Sequence, residues 1–336
     1  MAGEDVHGYD WSGRRVLVTG AGGFIGSQLA ERLVELGAEV RGFFRYTSGG
    51  TLGWIDQAGD EIRNAIDPVL GDLRDADAVQ RAVSGNDAVF HLGALIGIPY
   101  SYVHPRETLE TNVTGTFNVV TAARDHDVSL VVHTSTSETY GSANYVPIDE
   151  GHPLQAQSPY SATKIAADKL AQSFHHSYGL PLTTVRPFNT YGPRQSPRAV
   201  IPTIASQALR GTAVVLGNLA PTRDFTYVSD TVDGFVRAAT AAAIGQTFNL
   251  GSGQEVSVGG LVDLVGEILD KELRIEHDPG RDRPDSSEVD RLVSDNTRAR
   301  ELLGWEPKVS LRDGLRRTVE WISANPERFP SRVYAI

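Results

Sequence analysis

The chain has no cysteine in 336 residues. That absence excludes disulfides, thiolate metal sites and a cysteine nucleophile, and it fits a reducing, cytoplasmic setting. No apolar run approaches the roughly 20 residues that a membrane-spanning helix needs. Residues 1–13 are polar and acidic, without the basic start and apolar stretch of a secretory signal, and are expected to form a short tail. Positive charge is in deficit: 31 Lys and Arg against 42 Asp and Glu give a formal net charge of −11. A surface of that sign argues against a nucleic-acid partner, so an anionic substrate would need local cationic pockets. There is no internal repeat and no low-complexity tract, and no metal site is expected.

What is present is the composition of an ordinary globular protein, 40% hydrophobic and 22% charged, with 34 Gly and 17 Pro. The length allows one large α/β domain or two unequal ones. Near residue 14 a buried strand begins, Val16 to Thr19, followed by a glycine-rich turn and an amphipathic helix from Ser27 to Leu36 that Gly37 stops. A second strand spans Glu39 to Phe44. Short apolar runs recur at Pro68–Leu70, Ala88–Leu92, Leu130–His133 and Leu182–Val185, separated by helical stretches at Ala76–Val83, Asn112–Asp125 and Ser161–Tyr178. Strands alternating with helices predict an α/β fold: a doubly wound parallel sheet of the Rossmann kind. After about Pro187 the alternation breaks. A helix (Thr203–Arg210), a strand (Val214–Leu216) and then helices and polar loops beyond Gln254 predict a smaller, interleaved C-terminal α/β lobe for substrate. The expected division is 12–187 for the nucleotide-binding domain, with 225–251 returning to it. Segments 188–224 and 252–325 form the lobe, and 1–11 and 326–336 are tails.

Gly20, Gly23 and Gly26 form a Gly-x-x-Gly-x-x-Gly turn between the first strand and the helix. Glycines there allow a tight turn and close approach to a pyrophosphate, which rests on the helix N-terminus with Phe24 and Ile25. Where an NAD enzyme would place a carboxylate for the ribose, Phe44 is followed by Arg45. A guanidinium can hold a 2′-phosphate that a carboxylate would repel, so Arg45 favours NADP, with NAD as the alternative. Asp72 and Leu73 follow the third strand, placed to contact the adenine. Leu92 and Ala94, at the end of the fourth, would lie under the cofactor.

Tyr160 and Lys164 lie four apart, on one helix face. An ammonium beside a phenol favours the phenolate, so the pair can accept a hydroxyl proton while a hydride leaves the same carbon. Such a pair is common by chance on surface helices. Its weight comes from the glycine turn and from Thr136 and Glu138 upstream.

Together these residues resemble the extended short-chain dehydrogenases/reductases, the nucleotide-sugar epimerases and dehydratases. The resemblance runs from about residue 14 to 323. It is carried by the glycine turn, Asp72-Leu73, Asn112 to Thr116, Tyr160/Lys164, Arg186-Pro187-Phe188-Asn189, Tyr191-Gly192-Pro193 and Arg223-Asp224-Phe225. Within it, Thr136-Ser137-Glu138 is similar to the Thr-Ser-Glu motif of GDP-mannose 4,6-dehydratases. Val40-Arg41-Gly42 ahead of Arg45, and Leu216 to Leu219, match that group too. The stretches His91–Pro105, Thr134–Ala162 and Arg186–Arg198 resemble bacterial UDP- or GDP-N-acetylglucosamine 4,6-dehydratases of legionaminic-acid pathways. dTDP-glucose 4,6-dehydratases place an aspartate where Ser137 stands.

The resemblance implies a tightly bound, recycled NAD(P), held in part by Tyr160, Lys164 and Pro187. It implies a nucleotide-diphosphate hexose as partner, with Thr136 and Ser137 at the sugar and Asn189, Arg198, Arg223 and Arg283 at the diphosphate; Arg194 is a further candidate helper. Tyr160, aided by Lys164 and Thr136, would take the proton of the sugar 4-hydroxyl. Glu138 would take the carbon-5 proton and serve the departing carbon-6 hydroxyl, with Ser137 nearby. A homodimer is implied through the helices at Asn112 and Tyr160, with Ile165, Ala166 and Leu170 as an apolar stripe. The rival readings are a 4-epimerase, a UDP-glucuronate decarboxylase and a non-catalytic NAD(P)-sensing protein.

Overall fold

The computed structural model describes residues 10–282 and 284–329. At its centre is a seven-stranded parallel sheet. Six strands follow in chain order: β1 (Arg15–Thr19), β2 (Glu39–Arg45), β3 (Ile66–Gly71), β4 (Ala88–His91), β5 (Leu130–Thr134) and β6 (Leu182–Pro187). The seventh, Thr247–Leu250, pairs with β6 at the edge. Across the sheet the order is Thr247–Leu250, β6, β5, β4, β1, β2, β3. The chain winds outward from β1 to β3, then crosses back to β4 on the other side of β1. That reversal leaves a crevice at the carboxyl ends of β1 and β4, where α/β sheets bind their ligands.

Successive residues of the inner strands face opposite layers, and both layers are covered. Val16, Val18, Phe90 and Val132 face one apolar cluster together with Leu29, Ala30 and Leu33 of α1 (Phe24–Glu35). Leu17, Val89 and Val131 face the other, with Val79, Ala82, Val119 and Phe174 from the helices opposite. Burial on both faces is why these strands read as continuous apolar runs rather than alternating ones.

Three boundaries differ from the sequence expectation. The first helix begins at Phe24 rather than Ser27, because Gly23 itself occupies the N-cap. Strand β6 runs on through Arg186 and Pro187. The helix expected from Asn112 begins at Pro105, and its middle, Glu110–Thr114, opens into a π turn before Gly115–Asp125 continues. Asn112 lies in this wide turn, and its side chain bonds outside the helix.

Beyond β6, Thr222–Tyr227 pairs with Asn189–Tyr191, Glu255–Ser257 and Arg291–Leu292 in a small mixed sheet. Ala213–Leu216 pairs with Arg274–His277. Between these, the helix Val228–Ala238 packs on α1 and leads to the seventh strand of the main sheet. The C-terminal lobe is thus threaded through the sheet domain. Among the described residues, no helix is long and apolar enough to cross a membrane.

Candidate active site

Gly20 follows β1 with φ +72°, and a Cβ there would sit 2.9 Å from the backbone of Gly93, just beyond β4. A Cβ on Gly26 would lie 2.2 Å from the Gly20 carbonyl oxygen. Both glycines are therefore required for α1 to start hard against the turn. The N-cap is Gly23, with no side-chain cap and no acidic residue in the first turn. The first N–H groups of α1, at Phe24, Ile25 and Gly26, lack intrahelical acceptors and carry partial positive charge. Next to this cradle is a cavity of about 150 Å³ lined by Gly20, Arg45, Asp72, Leu73, Gly93 and Ala94, among others. Leu92 packs beneath, against the core. A glycine cradle at a helix N-terminus beside a slot of this kind fits a dinucleotide.

At the far end of that slot Arg45 is largely exposed and lies 3.4 Å from Glu107, which also accepts a 2.5 Å hydrogen bond from Tyr100. Asp72 is held below its usual range, chiefly by the hydrogen bond from Arg74, whose Nη2 lies 2.6 Å away.

The catalytic candidates converge at the carboxyl ends of β4, β5 and β6. Thr136 and Glu138 follow β5, with Glu138 in a short 3-10 turn over Ser137–Tyr140. Glu138 N–H donates to the Thr136 hydroxyl at 3.3 Å. Tyr160 and Lys164 come from the helix Pro159–Tyr178, which Ser158 and Ser161 cap reciprocally. Both side chains are buried. The Thr136 hydroxyl bonds the Tyr160 phenol, and the Glu138 carboxylate is close enough to act on its charge. Lys164 Nζ donates to the Thr134 carbonyl at 2.6 Å. Ser137 is buried beside Glu138.

Burial sets the electrostatics here. It raises the Tyr160 pKa, and the Thr136 hydrogen bond only partly offsets it. It lowers Lys164 to about 8 against the pull of Asp168. The sequence suggests that the ammonium lowers the phenol; in this structure desolvation is the largest influence, Glu138 and Asp168 act in the same direction, and the phenol is shifted up.

On the substrate side, Asn189 opens a strand directly after Phe188, and Pro187 closes β6 in a buried position. Arg223 is buried beside Glu288, at 3.4 Å, and donates to the Thr222 carbonyl at 3.0 Å. Arg198 is exposed. Arg194 pairs with Glu31 at 2.8 Å and donates to Ser27 Oγ at 3.1 Å, tying its loop to α1. Arg283 lies outside the described residues.

Two features escaped the sequence reading. Asn112, in the π turn, accepts from Leu95 N–H at 2.8 Å and donates to Leu95 O and Thr163 Oγ1, locking the loop after β4 to the helix that bears Tyr160 and Lys164. Asp168, one turn beyond Lys164, is buried among His133, Ser135 and Arg186. A charged residue continuing the Tyr160/Lys164 face, and an arginine inside the apolar run of β6, were the available signals.

A family model described as GDP-mannose 4,6 dehydratase matches residues 17–318. A UDP-glucose 4-epimerase of Mycolicibacterium smegmatis is 37% identical over 313 residues, 91% of this chain and 98% of the relative. A dTDP-glucose 4,6-dehydratase of Streptomyces griseus is 35% identical over 315 residues, 91% of this chain and 93% of the relative. Among solved structures, the dTDP-glucose 4,6-dehydratase DesIV of Streptomyces venezuelae, with NAD bound, superposes with a TM-score of 0.83 at 31% identity, covering 93% of this chain and 98% of that one.

Proposed function

The chain belongs to the GDP-mannose 4,6-dehydratase family, the nucleotide-sugar epimerases and dehydratases of the extended short-chain dehydrogenase/reductase type, and from that premise we propose that it is a nucleotide-sugar 4,6-dehydratase. The substrate is a UDP- or GDP-linked hexose or N-acetylhexosamine, and the product its 4-keto-6-deoxy derivative. The observation that carries this reading is Glu138: a carboxylate on a rigid 3-10 turn, electrostatically coupled to the buried Tyr160. An epimerase needs the tyrosine and lysine but no second acid–base group.

The nicotinamide cofactor, when bound, supplies a hydride acceptor that each turnover restores and a positive charge that favours the phenolate. Tyr160 takes the proton of the sugar 4-hydroxyl, with Thr136 holding the phenolate oxygen and Lys164 supplying positive charge behind it. The resulting 4-ketone acidifies carbon 5. Glu138 takes that proton and protonates the departing carbon-6 hydroxyl, so water leaves and the carboxylate is regenerated. The carbon-5,6 double bond left behind takes the hydride back at carbon 6 and the proton held by Tyr160 at carbon 5, which gives the 4-keto-6-deoxy sugar and restores the phenolate. Ser137 borders the same pocket. Arg45, at the end of β2 beside the cavity, supports NADP over NAD. Asn189, Arg198, Arg223 and Arg283 are proposed for the diphosphate. The division into a domain 12–187 with 225–251 and a lobe 188–224 with 252–325 is proposed with them. A homodimer is proposed through the helices Gly115–Asp125 and Pro159–Tyr178, where Phe117 and Ala166 are exposed; Leu170 of the same stripe packs partly on the chain's own core.

The test is mass spectrometry after incubation with a panel of nucleotide hexoses and UDP-glucuronate. Loss of one water without consumption of added cofactor is expected, and Glu138→Gln should stop water loss while reduced cofactor accumulates at the 4-keto stage. An isomer of unchanged mass would instead favour the epimerase reading, which the 37% identical relative supports. Loss of carbon dioxide would make it a decarboxylase, and no turnover at all would favour a sensor. Native mass spectrometry of the same sample identifies the retained cofactor and the subunit number.

A further inference from the structure

We infer that Asp168 is the positioning residue of this site: its carboxylate clamps the helix that carries Tyr160 and Lys164 to the ends of β5 and β6, and acts as counter-ion to Lys164. The inference rests on the dehydratase reading for its kinetic consequence, but its geometry stands separately. Oδ1 accepts from His133 Nε2 at 3.0 Å, and Oδ2 accepts from Ser135 Oγ at 2.6 Å and from Arg186 Nη2 at 3.0 Å. His133 is on β5, Ser135 stands one residue before Thr136, and Arg186 is on β6. Asp168 itself is on the catalytic helix, four residues after Lys164 and eight after Tyr160, hence on the same face. One carboxylate therefore fixes the helix bearing Tyr160 and Lys164 against the strand end bearing Thr136 and Glu138.

Arg186 extends the clamp. Its Nη1 donates to the Tyr140 hydroxyl at 3.0 Å, and Tyr140 donates to Asn249 Oδ1 at 2.7 Å on the seventh strand. Tyr140 ends the 3-10 turn that carries Glu138, so the turn is anchored at both ends: Ser135 on Asp168 and Tyr140 on Arg186. A buried ion pair that is fully hydrogen-bonded serves better to specify one geometry than to add stability. The proton assignment follows from the partners. The carboxylate only accepts, so His133 presents a protonated Nε2 to it.

Lys164 is faced by Asp168 on its own helix, one turn on as Tyr160 is one turn back, by His91 from β4 and by His133 from β5, with Arg186 beyond Asp168. His91 and His133 are neutral near pH 7, both pushed below 6.5 chiefly by burial. Asp168 is the one described anion whose charge favours the Lys164 ammonium.

The experiment compares the full-length protein with Asp168→Asn and Ser135→Ala. Steady-state kinetics are measured on the nucleotide sugar identified by mass spectrometry, and Lys164 is titrated by NMR. The chain has four lysines, Lys164, Lys169, Lys271 and Lys308, so the signal is assignable with a lysine variant. Asp168→Asn should keep KM, lower kcat by roughly 10–100-fold through displacement of the catalytic groups, and move the Lys164 titration to lower pH. Ser135→Ala removes one tether and no charge; it should lower kcat without moving that titration. A folded Asp168→Asn protein with wild-type kcat, or with the Lys164 titration in place, overturns the inference. If Asp168→Asn does not fold, Ser135→Ala decides: a lowered kcat at unchanged KM supports the clamp, and a wild-type kcat refutes it. If the wild-type protein turns over no nucleotide sugar, the dehydratase reading has failed, while the Lys164 titration still decides the counter-ion role.

Discussion

At the scale of single residues, Lys164 makes activity and stability respond oppositely to alkali. Its ammonium is buried and shifted from 10.5 to about 8, and in the dehydratase reading it is the charge proposed to support the Tyr160 phenolate. As pH rises through about 8 that charge is lost in the folded protein, and kcat should fall. The stability term has the other sign. Between about 8 and 10.5 the unfolded chain binds a proton at this side chain that the folded chain has released. Unfolding then takes up protons, so this group's contribution to stability rises with pH across that window. Kinetics and urea denaturation at matched pH values from 7 to 10 check it: a kcat that declines in step with the unfolding free energy would mean that alkali acts through loss of the fold instead. The Tyr160/Lys164 pairing was legible in the sequence because helical periodicity fixes which residues share a face. The upward shift of Tyr160 was not, because it depends on burial by distant segments.

At the scale of elements, the turn from β1 into α1 tolerates no side chain at its third glycine. Gly26→Ala would put a methyl 2.2 Å from the Gly20 carbonyl, a contact that only backbone movement can relieve. We expect a loss of about 1–3 kcal/mol from overpacking, and loss of retained cofactor, because α1 must back away from the phosphate position. Thermal unfolding and the cofactor content of the purified protein test this; a Gly26→Ala protein that keeps both would show that the turn has slack. This element was legible almost residue by residue, since strand, glycines and amphipathic helix are local signals. The π turn at Glu110–Thr114 was not: nothing in its sequence breaks helical periodicity, and it is stabilised by the contacts of Asn112 with Leu95 and Thr163. The fate of Arg194 was equally hidden, because Glu31 lies 163 residues before it and only the fold brings them to 2.8 Å. Arg223 illustrates the same limit, since its pairing with Glu288 depends on a loop whose path local sequence does not define.

At the scale of the whole molecule, a polar seam runs through the middle of the sheet, and it should make the protein sensitive to acid well above the carboxylate range. His91 lies between Thr19 Oγ1 at 2.8 Å and Thr116 Oγ1 at 3.0 Å, and its ring is 5.9 Å from that of His133. Burial pushes both histidines below 6.5. In mild acid the unfolded chain therefore takes up protons that the folded chain refuses, and stability falls as pH drops from about 6.5. Asp168 adds a later loss. Its burial alone would raise it, but the hydrogen bond from His133 and the charge of Arg186 hold it at about 2, so its contribution persists above 3.8 and disappears as pH falls from there towards 2. Asp224, Asp230 and Glu150 act in the opposite sense. Burial raises each of them, the folded protein protonates them first, and they offset part of the loss near the carboxylate range. The histidine loss begins at about pH 6.5, and comparison with a His91 variant separates it from these opposing carboxylates. Urea denaturation at pH 7.5, 6 and 5 should give a falling midpoint at constant m, and His91→Gln, if folded, should flatten that fall. A His91→Gln midpoint that changes with pH just as the wild-type midpoint does would mean that the seam takes up protons without cost, and that His91 is not held neutral by the sheet around it.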